Sequence, residues 1–201
     1  MRYENQRKHP HMLYVTRQAL EDEQEREYGK TTTMHSSGCG LCAGIMAVDR
    51  LLPVYEFSLE DAIQLSYDVK ANLRVGTDYA RFGPALAEKF HLRYEISDKL
   101  EDLLNCIRTG GAAVVLVGRG KYDNGERGLF TRGGHYMTVI NEEPDGRLAI
   151  LDPAYEPDRY NDPKWEGLVE VKHSYVVLCD PQILHGETEG KTDPYNLFWR
   201  A

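Results

Sequence analysis

The sequence predicts an α+β fold with a mostly antiparallel sheet. Two observations predict it. Apolar residues recur at helical spacing through the first half of the 201-residue chain, while short Val-rich or apolar runs fill the second half. Helices and strands segregated along a chain, rather than alternating, favour an antiparallel sheet with helices packed on it. The length suits one domain, read as an N-terminal arm or helix over 1–30 and a single domain over 31–201.

The elements follow in order. Thr16 to Tyr28 is rich in Glu, Gln and Arg and reads as a solvated helix or an ordered arm. Thr31 to Gly38 is polar and ends in Ser-Ser-Gly, a loop. Leu41, Ile45, Val48 and Leu52 then recur at helical spacing until Pro53, which predicts a helix from Gly40 to Leu52 with Cys39 at its N-terminal end. Ser58-Leu-Glu-Asp61 reads as a capping box ahead of the stripe Ala62, Leu65, Val69 and Leu73. Gly83-Pro84 reads as the start of a third helix, with Pro84 in its first turn. Ser97 reads as the cap of a fourth, which carries Leu100, Leu103, Leu104 and Ile107 and ends at Gly110-Gly111. Beyond it, Ala112 to Val117 reads as a buried strand, Gly118 to Gly134 as a Gly-rich charged loop, and His135 to Ile140 and Arg147 to Asp152 as paired strands. Val169 to Cys179 reads as one longer strand.

Composition narrows the function. Lys and Arg number 24 against 32 Asp and Glu, a net charge of −8 with a pI near 5.4. That balance argues against nucleic acid and against anionic membrane surfaces. No apolar run approaches the roughly 18 residues of a membrane helix, and the first thirty residues show no apolar stretch behind a basic start, so no signal peptide is read there and a cytoplasmic setting is expected, with a secreted parent left open. Four cysteines, Cys39, Cys42, Cys106 and Cys179, are too sparse for a disulfide scaffold.

Three residues stand out for chemistry. A thiol at a helix N-terminus, as Cys39 would be, meets the positive end of the helix dipole and free N–H groups, and both favour the nucleophilic thiolate. Its bland alternative is a buried structural cysteine. Gly38 and Gly40 beside it permit a tight turn and close approach of a substrate. His135 opens a strand after Gly133-Gly134, which clear space on the substrate side. Pairing the two strands with Ile140 opposite Arg147 sets His135 opposite Asp152, where a carboxylate would fix the imidazole tautomer and leave the other ring nitrogen for a nucleophile. The alternative for Asp152-Pro153 is a turn that ends a strand.

With these residues in hand, a resemblance emerges. Ser36-Ser37-Gly38-Cys39-Gly40 with its small-residue helix, Gly128-Leu-Phe-Thr-Arg-Gly-Gly-His135-Tyr136, and Leu148-Ala-Ile-Leu-Asp152-Pro153 resemble the nucleophile, histidine and aspartate segments of bacteriocin-processing-type cysteine peptidases, members of the papain-like superfamily. The resemblance spans roughly Gly29 to Asp158. It implies a papain-like fold, with Cys39 as nucleophile, His135 as general base and acid, and Asp152 as orienting residue. It also implies a peptide or protein substrate and no cofactor or metal. One departure matters. Family members often carry a glutamine ahead of the cysteine whose amide steadies the oxyanion, and Thr33 stands at that position. Thr33 and Ser37 are the side-chain candidates for the oxyanion hole, with Ser36 and the Cys39 N–H beside them. Leu41 replaces a proline common after the Cys-Gly pair.

Rival readings attach to the same residues. Cys39-Gly-Leu-Cys42 also resembles a thioredoxin-type redox motif, but the polar segment before it is a poor buried strand. In a papain-like alternative Cys42 is the nucleophile and Ser36 takes the glutamine position. Otherwise Cys42, like Cys106 and Cys179, reads as core. One Cys-x-x-Cys without a second pair is weak support for zinc. A catalytically silent domain that retains the fold is the competing class. The loop before His135 carries Arg119, Lys121, Arg127 and Arg132 against Asp123 and Glu126, so it is a candidate for binding a substrate carboxylate or simply solvated charge. Gly134, Arg132 and Tyr136 are the candidate substrate contacts, with Tyr122 and Tyr155 nearby in sequence.

Overall fold

In the computed structural model, residues 1–17, 33–73, 76–118, 128–131, 133–161 and 163–201 are described. The boundary at residue 30 and nearly all of the helix expected over Thr16 to Tyr28 lie outside them. The fold is mixed α+β. A seven-stranded sheet, antiparallel at every pairing, is built from β3 (Leu92–Ser97), β4 (Ala112–Val117), β5 (His135–Glu142), β6 (Leu148–Leu151), β7 (Val169–His173), β8 (Val176–Cys179) and β9 (Tyr195–Arg200) in the order β3-β9-β4-β5-β6-β8-β7. β1 (Asn72–Leu73) and β2 (Gly76–Thr77) form a separate short pair. The helices are α1 (Met34–Ser37), α2 (Cys39–Leu51), α3 (Leu59–Asp68), α4 (Tyr79–Phe90), α5 (Leu100–Arg108) and α6 (Pro181–Thr188).

Both faces of the sheet are covered. Ala112, Val114 and Phe198 pack with α2, α3 and α4 on one face. Ala113, Val115, Val117, Met137 and Leu197 pack with α5, Leu184 of α6, Tyr160 and Trp165 on the other. A strand buried on both faces has no polar face to show, so β4 reads as an unbroken apolar run. No described helix is long and apolar enough to cross a membrane.

Helix α2 is buried from Gly40 to Val48 and again at Leu51, as expected for a helix of small and apolar residues on all sides. Thr138 of β5 donates its hydroxyl to Ala43 O (2.9 Å), and Arg50 donates to Ile140 O (2.9 Å), so α2 is tied along β5. Gly40 and Gly38 serve close packing rather than a special turn. A Cβ on Gly40 would lie 2.7 Å from Thr77 Cβ, and one on Gly38 would lie 2.4 Å from Met34 Cε.

Several expectations are corrected. Pro84 sits inside α4, not at its start, because Asp78 caps the helix by accepting from Ala80 N (3.1 Å). Ser97 ends strand β3, and Lys99 is the residue before α5. Ser97 Oγ still accepts from Lys99 N (3.0 Å) and donates to Asp102, which explains the cap-like pattern. Val169 to Cys179 is a hairpin, not one strand, since Ser174 takes the left-handed conformation (φ 48°) and reverses the chain. The segregation of helices from strands is incomplete: β3 falls among the helices, and α6, headed by Asp180 and Pro181, falls among the strands. The Ser58–Asp61 capping box and the glycine stop at Gly110 (φ 85°) are present as read.

Thr138 is fully buried and its hydroxyl bonds to α2. Thr138→Val should lower unfolding stability by about 1 kcal/mol, the worth of one buried hydrogen bond, while keeping the fold. Urea denaturation at constant slope checks this.

Candidate active site

Cys39 is the first residue of α2, where helix N–H groups point outward without intrahelical partners. It is half-buried, whereas Cys42, Cys106 and Cys179 are buried, and all four thiols are free. The His135 ring and the backbone N–H groups of Tyr136 and Gly40 lie near enough to the Cys39 sulfur to favour its thiolate. Burial opposes the thiolate, but His135 and these donors outweigh it and hold the thiol below its ordinary value. At Cys42 burial dominates and raises the thiol well above the ordinary range.

His135 opens β5 and is buried. Its Nε2 bonds to Asp152 Oδ1 at 2.6 Å, which leaves Nδ1 for the thiol. Burial alone would lower its pKa, but the Asp152 charge and hydrogen bond, with the contribution of Cys39, raise it to about 9. The directions at Cys39 and His135 agree: both favour a thiolate–imidazolium pair.

The pairing that brings His135 to Asp152 differs from the register read from sequence. Val139 stands opposite Ile150, and Thr138 opposite Leu151, two residues from the expected register. Carried past the end of β6, this sets Asp152 opposite Met137, with His135 on the diagonal. A two-residue shift preserves the face, because strand side chains alternate with period 2, and diagonal neighbours roughly 7–8 Å apart remain within reach of a long side chain. The irregularity between Val139 and Asn141 absorbs the rest of the mismatch away from the site.

Asp152 has no solvent exposure. Ala154 N donates to Oδ1 (2.7 Å), Tyr160 Oη donates to Oδ2 (2.5 Å), and the Arg159 guanidinium lies 3.2 Å from Oδ2. Tyr3 donates to the Asp152 carbonyl (2.6 Å). Burial would raise this carboxyl, yet the charge and hydrogen bond of His135, then Arg159 and Tyr160, hold it well below the usual carboxylate range. Arg159 also donates to Phe130 O, and Phe130 packs on Trp165, which packs on Tyr160. Tyr3, Arg159 and Tyr160 were not legible in the sequence. They reach Asp152 through the N-terminal arm and a short 3-10 turn (Pro157–Asn161), neither of which carries a periodic pattern.

The other candidates are placed as follows. Thr33 heads α1, where its N–H donates to Ser36 Oγ (3.3 Å) and its hydroxyl lies 3.4 Å from that oxygen. Ser37 is buried, with its hydroxyl 3.4 Å from that of Ser36. Gly134 is exposed, and a Cβ there would meet nothing closer than 3.6 Å, so packing does not require the glycine. Tyr136 is half-buried with its ring against Tyr79 (4.6 Å) and against Gly40. Tyr79 in turn donates to Gly40 O (2.7 Å). Tyr155 stacks on Tyr160 (5.4 Å). Arg132 and the basic residues Arg119, Lys121 and Arg127, with Tyr122, lie outside the described residues. Among the described residues no group of three or more His, Cys, Asp or Glu is arranged to hold a metal ion.

No known family model matches the chain, and no curated protein matches it in sequence.

Iodoacetamide at neutral pH should alkylate Cys39 well before Cys42, Cys106 and Cys179, which react only on unfolding; peptide mass spectrometry of a time course checks the order. A pH prediction follows from the paired shifts. His135, raised from 6.5 to about 9, contributes stability that is full below 6.5 and is lost as pH rises through 9. Asp152, depressed from 3.8, contributes stability that is present above 3.8 and lost in acid. Asp152→Asn should lower the His135 pKa and flatten the alkaline fall, as read by urea midpoints across pH and by histidine NMR titration.

Proposed function

We propose that the protein is a cysteine peptidase or amidase that cleaves an amide bond through a thioester acyl-enzyme. The observation that carries this reading is His135 bonded to the buried Asp152 carboxylate and lying beside the Cys39 thiol, which sits at a helix N-terminus. The fold supports it in the same way. A nucleophile helix packed on an antiparallel sheet, with histidine and aspartate at the adjoining ends of neighbouring strands, is the arrangement expected of a papain-like domain.

In the proposed reaction Asp152 holds the imidazole through Nε2 and favours its protonated form, while Nδ1 faces the sulfur. The Cys39 thiolate attacks the carbonyl carbon, and the carbonyl π electrons move to oxygen. The C–N bond then breaks as His135 gives its proton to the departing amine, leaving a thioester on Cys39. Water, deprotonated by His135, attacks the thioester, and the thiolate leaves. No cofactor takes part. The oxyanion is assigned to backbone N–H groups at the head of α2, since the Thr33 hydroxyl lies against Ser36. A dithiol role fits less well, because a fully buried Cys42 whose thiol is raised by burial is a poor resolving partner.

A peptide-based electrophile that mimics the acyl group, such as a vinyl sulfone library, should label Cys39 stoichiometrically. Cys39→Ala should abolish labelling, and His135→Ala should slow it by roughly 10³-fold or more. Cys42→Ser should leave amide hydrolysis largely intact. Equal labelling of His135→Ala and wild type would remove the support for this reading.

A further inference from the structure

We propose that Gln6, in the N-terminal arm, is a positioning residue for the Cys39–His135 pair. The inference rests on the reading of that pair as the reacting site. The Gln6 backbone N–H donates to Pro153 O (2.9 Å), and its side-chain Nε2 donates to His35 O (2.7 Å). Pro153 follows Asp152, and His35 lies in α1, one turn ahead of Cys39. The links therefore close a ring: Gln6 to Pro153, through Asp152 to His135, across to Cys39, back through α1 to His35, and again to Gln6.

The neighbouring arm residues lack this double reach. Asn5 Nδ2 donates to Tyr155 O (2.8 Å), and Tyr3 donates to Asp152 O (2.6 Å), so each holds the aspartate side alone. Gln6 is 6 % exposed, and its Oε1 has no partner among the described residues. An unpaired buried amide oxygen works against stability, so an apolar side chain of the same length would be the better filler. What glutamine supplies is the N–H toward His35.

The consequence is geometric. Most of the helix that carries Cys39 packs in one core cluster, and only Met46, two turns past Cys39, shares a cluster with Ala149 and Leu151 of the strand that leads to Asp152. A thiol–imidazole hydrogen bond weakens steeply with distance and angle, so the two parts must be locked to one another. Among the described residues Gln6 makes no hydrogen bond to Cys39 or His135, and it acts through the two backbones it joins.

The test compares Gln6→Met with Asn5→Ala in the full chain. The readout is the pH dependence of Cys39 alkylation by iodoacetamide, with thermal unfolding followed in parallel. Asn5→Ala should unfold at lower temperature, while Gln6→Met, which sheds the unpaired oxygen, should unfold no lower than wild type. Gln6→Met should move the alkylation midpoint to higher pH and slow alkylation at pH 7 by roughly tenfold, whereas Asn5→Ala should leave the midpoint in place. If Gln6→Met does not fold, Gln6→Asn, which keeps the amide but falls short of His35 O, should show the same shift. An unmoved midpoint in a folded Gln6 variant, or an equal shift in Asn5→Ala, overturns the proposal. Failure of the site reading itself is distinguishable, because wild-type Cys39 would then react no faster than a free thiol.

Discussion

One ionised carboxylate without solvent exposure organises the region around it. Removing a charge from water costs several kcal/mol unless partners replace its hydration. Asp152 gathers those partners from separate parts of the chain: His135 from β5, Ala154 N–H from the turn after β6, and Arg159 and Tyr160 from the 3-10 turn. These segments must arrive together, because losing one leaves the charge incompletely compensated. The same electrostatic demand that stabilises the carboxylate also charges the imidazole, and the charged imidazole favours the thiolate beyond it. The stability of the carboxylate and the ionisation of the imidazole and thiol at this end of the sheet therefore share one origin.

Helix α2 supplies the opposing constraint. It is buried on nearly all sides, and it can lie so close to Thr77 and Met34 only because Gly40 and Gly38 lack side chains. A thiol on a frayed or shifting helix end would not keep a fixed distance to a strand. Here the bonds from Tyr79 to Gly40 O and from Thr138 to Ala43 O hold the first turns in place. The glycines beside Cys39, whose sequence reading was substrate access, are explained by this packing.

Much of this was legible in the sequence, and the misses have physical reasons. The α2 stripe, the Ser58 capping box and the Val-rich β4 announce themselves because burial and capping are local patterns. Strands β3 and β9 escaped because each mixes polar with apolar residues and ends on a charged or polar one; their pairing is decided by partners far along the chain. The meeting of His135 with Asp152 was reached with a register off by two, and period-2 alternation forgave the error. Gln6, Tyr3 and Tyr160 could not have been read at all. Their importance comes from where the chain returns in space, and no spacing rule encodes that.

The placement of β9 has a bearing on how the chain assembles. The last strand does not add to an edge; it inserts between β3 and β4, pairing with both. Asn196 reaches Val114 O, and Tyr94 reaches Asn196, stitching the three strands together. Until Tyr195–Arg200 leave the ribosome, β3 and β4 have no common neighbour, and the sheet carries an unfilled slot with exposed edges on both sides. Synthesis must therefore run past Arg200, about 80 residues beyond β4, before the sheet can close, and such long-range closure favours slow folding over rapid local collapse.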